Sequence, residues 1–258
     1  MLLLSFTLLN HWIKISLVMN FVQLQTLLLL FFLGASIGCD FQSRIEVNDK
    51  IVWQHLKKGE EHQLAEYLEE RPSTVNVVNH VGNSLLYEAI AISNIKMVNL
   101  ILASGAQINF RNQFGRTPLH RAADEDRLDI VSLLLAKGAE VNVRDCRGST
   151  PLIASAEFAS LPVIKLLVEA GANVPIGNHY GRSALHNAAK REDVEVAEFL
   201  IANGARLNQV CEYGTPLDLT INCEIAKMLR ASGGSESSAT SIASRTHQRY
   251  LTNLPAEK

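Results

Sequence analysis

Asn112-Gln113-Phe114-Gly115-Arg116-Thr117-Pro118-Leu119-His120-Arg121-Ala122-Ala123 is the stretch that decides the fold. Thr117 stands where a helix N-cap belongs, and Pro118 takes the first helical position, where its missing N–H costs nothing. Leu119, Ala122 and Ala123 follow at helical spacing, and the alanines let neighbouring helices approach closely. Further on, Ile130, Val131, Leu134 and Leu135 form the apolar stripe of a second helix. Gly138 then sits where a helix ends on a residue of positive φ.

The unit repeats. Gly82, Gly115, Gly148, Gly181 and Gly214 are each separated by 33 residues, and Gly105, Gly138, Gly171 and Gly204 keep the same interval in phase. One unit of this size cannot bury its own apolar face, so copies must stack. The period and the run Thr117-Pro118-Leu119-His120 resemble the ankyrin repeat. The resemblance covers residues 79 to about 233. It implies an all-α fold, a solenoid of stacked helix-turn-helix units with hairpin-like turns. Five repeats are expected, at 79–111, 112–144, 145–177, 178–210 and 211–233.

The other copies depart from this pattern in particular ways. The first has Leu85 for Pro and Tyr87 for His. The third keeps Thr150-Pro151-Leu152 but has Ile153 for His, and Pro162 falls near its second helix. The fourth reads Ser183-Ala184-Leu185-His186. The fifth, Thr215-Pro216-Leu217-Asp218, is shortened after Gly214 and again between its helices, as a C-terminal cap would be. Residues 40–78 read as a linker followed by N-terminal capping helices. Ile51 to Lys58 and His62 to Glu70 form a helical pair without the signature, closed by Pro72. Residues 234–258 are polar and read as a disordered tail.

Composition bounds the function. The chain has 258 residues, 47% of them apolar and 19% charged, with a formal net charge of −2. No basic block tracks a phosphate backbone, so nucleic acid is not the expected partner. Much of the apolar excess lies in residues 1–38, where Lys14 is the only Lys, Arg, Asp or Glu. The run Leu27-Leu28-Leu29-Leu30-Phe31-Phe32-Leu33 is followed by the small residues Gly34-Ala35-Ser36, so 1–38 reads as a signal peptide.

The segment ends Ser36-Ile37-Gly38-Cys39, which resembles the bacterial lipobox, with Ser36 in place of the usual Leu. That resemblance implies cleavage before Cys39, a lipid on its thiol, and residence at the periplasmic face of a bacterial membrane. Asp40 resembles the residue that holds some enterobacterial lipoproteins in the inner membrane. Met19 is an alternative start. The uncharged stretch 15–38 is also long enough for a single-pass membrane anchor, although Asn20, Gln23 and Gln25 interrupt it. Simple cleavage and secretion is a third reading.

Little in the sequence suggests catalysis. His120 and His186 hold the signature position, where the family uses the imidazole to bridge neighbouring repeats. They lie two repeats apart, and with packed helices roughly 8–10 Å apart they cannot share a ligand. His55, His62, His80 and His179 have no metal-ligand spacing. Cys146 and Cys211 lie on turns two repeats apart, whereas Cys211 and Cys223 share a repeat, with Cys223 placed near the end of its first helix. Asp124-Glu125-Asp126 and Glu60-Glu61 read as solvated turns. No catalytic residue, metal or cofactor is expected.

The positions that the repeat leaves free are the turn tips and the exposed end of the first helix. In the ankyrin family these line the face that grips proteins. Here they give the candidate partner-binding residues His80, Val81, Gln113, Phe114, Arg116, Arg147, Phe158, His179, Tyr180, Arg182, Lys190, Arg191 and Tyr213. Exposed aromatics with Arg are the usual anchors of protein interfaces. The expected function is non-enzymatic protein binding by a chain that is monomeric when free. The combination also resembles ankyrin-repeat immunity lipoproteins, which implies a secreted toxin such as a lipase as cognate partner. The alternatives are a scaffold or stress-related partner of an envelope enzyme, or a secreted ankyrin effector.

Overall fold

The computed structural model describes residues 50–237. The signal segment 1–38, the lipidation candidate Cys39, the start of the linker and residues 238–258 of the expected tail lie outside the described residues. Among those described, no helix is long and apolar enough to cross a membrane. The anchor alternative falls on residues outside them.

The chain forms helices joined by short turns. Helices α1 (Lys50–Lys58) and α2 (Glu61–Glu70) come first, followed by a 3₁₀ turn, Pro72–Asn76. Five helix pairs follow. They are α3 (Leu85–Ala91) with α4 (Ile95–Ala103), and α5 (Pro118–Asp124) with α6 (Leu128–Ala136). Next are α7 (Pro151–Ser155) with α8 (Leu161–Glu169), and α9 (Ala184–Arg191) with α10 (Val194–Ala202). The last pair is α11 (Pro216–Leu219) with α12 (Cys223–Ala231). The first helices α3, α5, α7, α9 and α11 pack successively in one layer, and α2, α4, α6, α8, α10 and α12 in a second. The fold is an all-α solenoid.

Equivalent positions fill the core between the layers. Leu86, Leu119, Leu152, Leu185 and Leu217 are buried on the first helices. Ile101, Leu134, Leu167 and Leu200 are buried on the second helices. Each such leucine or isoleucine contributes on the order of 1.5–3 kcal/mol. Helices this short are marginal alone in water, so the stacking holds them. Ala89, Ala122, Ala156 and Ala189 are also fully buried, which lets the first-helix layer close up. Pro162 does not break α8, because it lies in the first turn.

Side chains then join one repeat to the next. In the second repeat the Thr117 amide donates to His120 Nδ1 at 3.1 Å, and His120 Nε2 lies 3.1 Å from the Ser149 carbonyl of the third. His186 repeats this between Ser183 and Gly214. On the other edge Asn76, Asn109 and Asn142 accept the amides of Gln107, Glu140 and Asn173 at 2.8–2.9 Å. Both devices are missing between the third and fourth repeats, where Ile153 and Pro175 occupy the bridging positions. That joint is held instead by Asn187 Nδ2 on the Ile153 carbonyl and by Arg191 on the Ala159 carbonyl, at 2.7 and 2.9 Å.

The C-terminal end differs from expectation in two details. Cys223 is not near the end of a first helix. It opens the second helix, because α11 stops at Leu219 and Asn222 caps α12. Residues 234–237, the beginning of the expected tail, pack back on the fourth and fifth repeats. Asn208 Oδ1 accepts the Ser235 amide at 2.7 Å, and Asp218 Oδ2 accepts the Ser237 amide at 3.0 Å.

Candidate protein-binding face

Each turn is built by one side chain and one glycine. In the first four repeats the turn opens with Asn79, Asn112, Asp145 or Asn178. Its Oδ1 accepts two amides, from Val81 and Asn83, Phe114 and Arg116, Arg147 and Ser149, or Tyr180 and Arg182, all at 2.9–3.0 Å. This is the Asx-turn, which mimics a backbone turn with a side chain. The fifth repeat substitutes Cys211, whose Sγ receives the Tyr213 amide at 3.4 Å. In the first four repeats the glycine after the tip, such as Gly115 or Gly148, has φ of +70° to +77°, and in the fifth Gly214 has φ +113°.

This geometry places residues 81, 114, 147, 180 and 213 at one structural position along the stack. Phe114, Tyr180 and Tyr213 are 57%, 54% and 54% exposed, Arg147 is exposed and Val81 is half-buried. Adjacent tips are joined backbone to backbone. The Cys146 amide donates to the Phe114 carbonyl and the His179 amide to the Arg147 carbonyl, both at 2.9 Å. His80, Gln113 and His179 stand exposed beside them. Arg182 is half-buried, with its guanidinium 5.3 Å from the centre of the Tyr213 ring.

The first-helix end of the face is less uniform. Lys190 and Arg191 lie exposed in the last turn of α9. Phe158, 66% exposed, lies beyond α7, which ends at Ser155. Asp124 departs from the solvated-turn reading. It ends α5 half-buried and pairs with Arg116, while its Oδ1 has no hydrogen-bond partner. Burial pushes the Asp124 carboxyl upward, and Arg116 offsets only part of that effect. Asp126 is a loop tie, its Oδ1 accepting the Ser160 amide and hydroxyl at 2.8 and 2.7 Å. Val210, 56% exposed in the segment leading to the fifth tip, was not singled out from the sequence. Its signal is its register, 66 residues after exposed Arg144, two repeats along the stack.

The buried histidines are structural in their geometry. Burial lowers the pKa of both His120 and His186 to about 4, so each is neutral at pH 7. A neutral ring can accept at Nδ1 and donate from Nε2, as the bridge requires. Cys146 and Cys223 are exposed free thiols and Cys211 is a buried one. Among the described residues no His, Cys, Asp and Glu cluster is arranged to hold a metal ion. What the face offers is a line of exposed aromatic and cationic side chains on a backbone fixed by turns. No curated protein matches the chain. A family model described as ankyrin repeats (3 copies) matches residues 50–145, 86–178 and 137–211.

Proposed function

The chain belongs to the ankyrin-repeat family, a protein–protein interaction module, and from that premise we propose that it is a non-enzymatic binding protein held at the bacterial envelope, where it captures and neutralises a secreted toxin. The observation that carries the binding reading is the exposure of Phe114, Tyr180 and Tyr213 at one repeat position. Packing does not require large aromatics there, and aromatic and Arg side chains dominate binding energy at protein interfaces.

The envelope placement is supported by the apolar segment ending Ser36-Ile37-Gly38-Cys39. In this reading residues 1–38 direct export, a lipid on Cys39 holds the chain at the membrane, and the repeats cover the active site of an incoming enzyme such as a lipase. The immunity role is supported by resemblance to other ankyrin lipoproteins, which is analogy at the level of fold and address.

The test is purification of the C-terminally tagged chain from native membranes, with bound proteins identified by mass spectrometry. A Phe114→Ala, Tyr180→Ala double variant runs in parallel. A single stoichiometric partner that is a secreted toxin, lost in the variant, is the expected result. An envelope enzyme in its place would favour a scaffold, and equal capture by both chains would sink the aromatic face. A Cys39→Ala chain that incorporates labelled fatty acid as well as wild type would remove the lipid anchor.

A further inference from the structure

The hairpins carry an excess of arginine, of which Arg111 serves stacking by donating to the Arg144 carbonyl at 2.7 Å. The chain as a whole has a formal charge of −2, yet Arg111, Arg116, Arg144, Arg147 and Arg182 all lie on hairpins. The acids nearest them are already engaged. Asp124 pairs with Arg116, and Glu212 lies 3.8 Å from Arg182. Asp145 uses Oδ1 to hold the third tip. None of the ion pairs among the described residues involves Arg144 or Arg147, and both are exposed. Arg111 is likewise in none of these ion pairs, so the unpaired arginines of the hairpins, Arg111, Arg144 and Arg147, gather around the second and third tips, with the Asp145 carboxylate between the last two.

Arg147 also has particular neighbours. It stands in the tip row between Phe114 of the second repeat and Tyr180 of the fourth, each about 10 Å away by the usual spacing of packed helices. The backbone bonds from Cys146 to Phe114 and from His179 to Arg147 fix these tips relative to one another. A row fixed before binding loses little freedom on association. A guanidinium between two exposed rings, on a hairpin edge where Arg144 and Arg147 outnumber the single acid Asp145, is complementary to a carboxylate flanked by apolar side chains.

We infer that the tips of repeats 2 to 4 receive an acidic segment of the partner protein, with one carboxylate on Arg147 and apolar side chains packed on Phe114 and Tyr180. This rests on the binding face proposed above and adds the chemistry of what it binds. Association through such a row is faster at low ionic strength and weakens with salt.

The test uses a displayed library of random peptides, panned against the full chain in detergent. The best peptide is then synthesised and titrated by fluorescence anisotropy. Selected sequences are expected to be rich in Asp and Glu with apolar residues on either side. Arg147→Glu is expected to weaken binding about tenfold or more. A peptide whose critical Asp is changed to Lys is expected to regain affinity for the Arg147→Glu chain, an exchange that a merely structural role would not produce. Peptides without acidic bias, equal binding to the Arg147→Glu chain, a library that yields no binder, or capture of single-stranded oligonucleotides by the same residues would each overturn the inference. Binding lost in Phe114→Ala but unchanged in Arg147→Glu would remove the acidic partner and leave the aromatic face standing.

Discussion

His120 Nε2 lies 3.1 Å from the carbonyl oxygen of Ser149, so the second repeat is hydrogen-bonded to the third through a buried, uncharged imidazole. His186 stands in the same relation to Gly214 at 3.2 Å. Both rings have a pKa lowered to about 4 by burial, against an ordinary value of 6.5. The unfolded chain therefore binds more protons than the folded one between pH 6.5 and 4. Stability is full above that window and falls as pH drops through it.

Between pH 7 and pH 5 the loss should be about 1.5–2 kcal/mol for each of the two histidines. Urea unfolding at the two pH values measures it. In a His120→Ile, His186→Ile chain, which copies Ile153, the same pH change should cost several-fold less. That chain should also be less stable at pH 7, by about 1–3 kcal/mol per site, because the Thr117 and Ser183 amides lose their acceptor. An unchanged pH slope in the double variant would mean that other groups carry the acid sensitivity.

The asparagine ladder makes a second prediction. Asn142 both accepts the Asn173 amide and donates to the Gly171 carbonyl, each at 2.9 Å. Asn142→Ala should cost about 1–2 kcal/mol. Pro175, at the equivalent position of the next repeat, cannot make these bonds, so Pro175→Ala should change stability by less than about 1 kcal/mol. Equal losses at the two sites in urea unfolding would show that the ladder adds nothing.

Such local rules were readable in the sequence because each repeat carries its own caps, stripe and turn. Thr117, Pro118, Leu119 and Gly138 announce a helix pair without reference to anything distant. The exposure of Phe114 and Tyr180 was equally readable, since register alone puts them at the tip. The roles of Asp124, Asp126 and Ser235 were not. Asp126 meets Ser160 in the following repeat, and Ser235 meets Asn208 across the end of the stack. Those contacts depend on how neighbouring units sit, which composition and spacing within one unit do not state. Asp124 looked solvated because three acids in a row usually are. Its partner Arg116 lies before the start of the same helix, beyond the one-turn spacing at which helical ion pairs are sought.

Glycines at two places in the repeat should respond differently to substitution. Gly138 has φ +88° and open space where a Cβ would stand, so Gly138→Ala carries only the strain of a left-handed residue, about 1–2 kcal/mol. Gly181 has φ +77°, and its Cβ would run into the Val210 carbonyl of the next hairpin, a backbone atom that cannot rotate away. Gly181→Ala should therefore cost clearly more than Gly138→Ala, on the order of 3 kcal/mol or above. A pair of thermal melts decides it, and equal shifts would mean that the fourth and fifth hairpins separate freely.

The end of the stack gives the last prediction. Where His120 and His186 accept the N-cap amide, the fifth repeat has Asp218, whose Oδ2 accepts the Thr215 amide at 2.8 Å and the Ser237 amide at 3.0 Å. Burial raises this carboxyl, but the amides of Thr215 and Ser237 outweigh that and hold it below the usual range. Residues 233–237 thus close the fifth repeat as a further repeat would have done. Asn208 contributes by donating to the Gly233 carbonyl and accepting the Ser235 amide. A chain ending at Ser232 should be less stable than one ending at Ser237 by about 1–3 kcal/mol. Asp218→Ala should cost more in the longer chain than in the shorter, because part of its role is to hold Ser237. The four chains form a double-mutant cycle in urea, and a coupling near zero would mean that Asp218 serves only as the cap of α11.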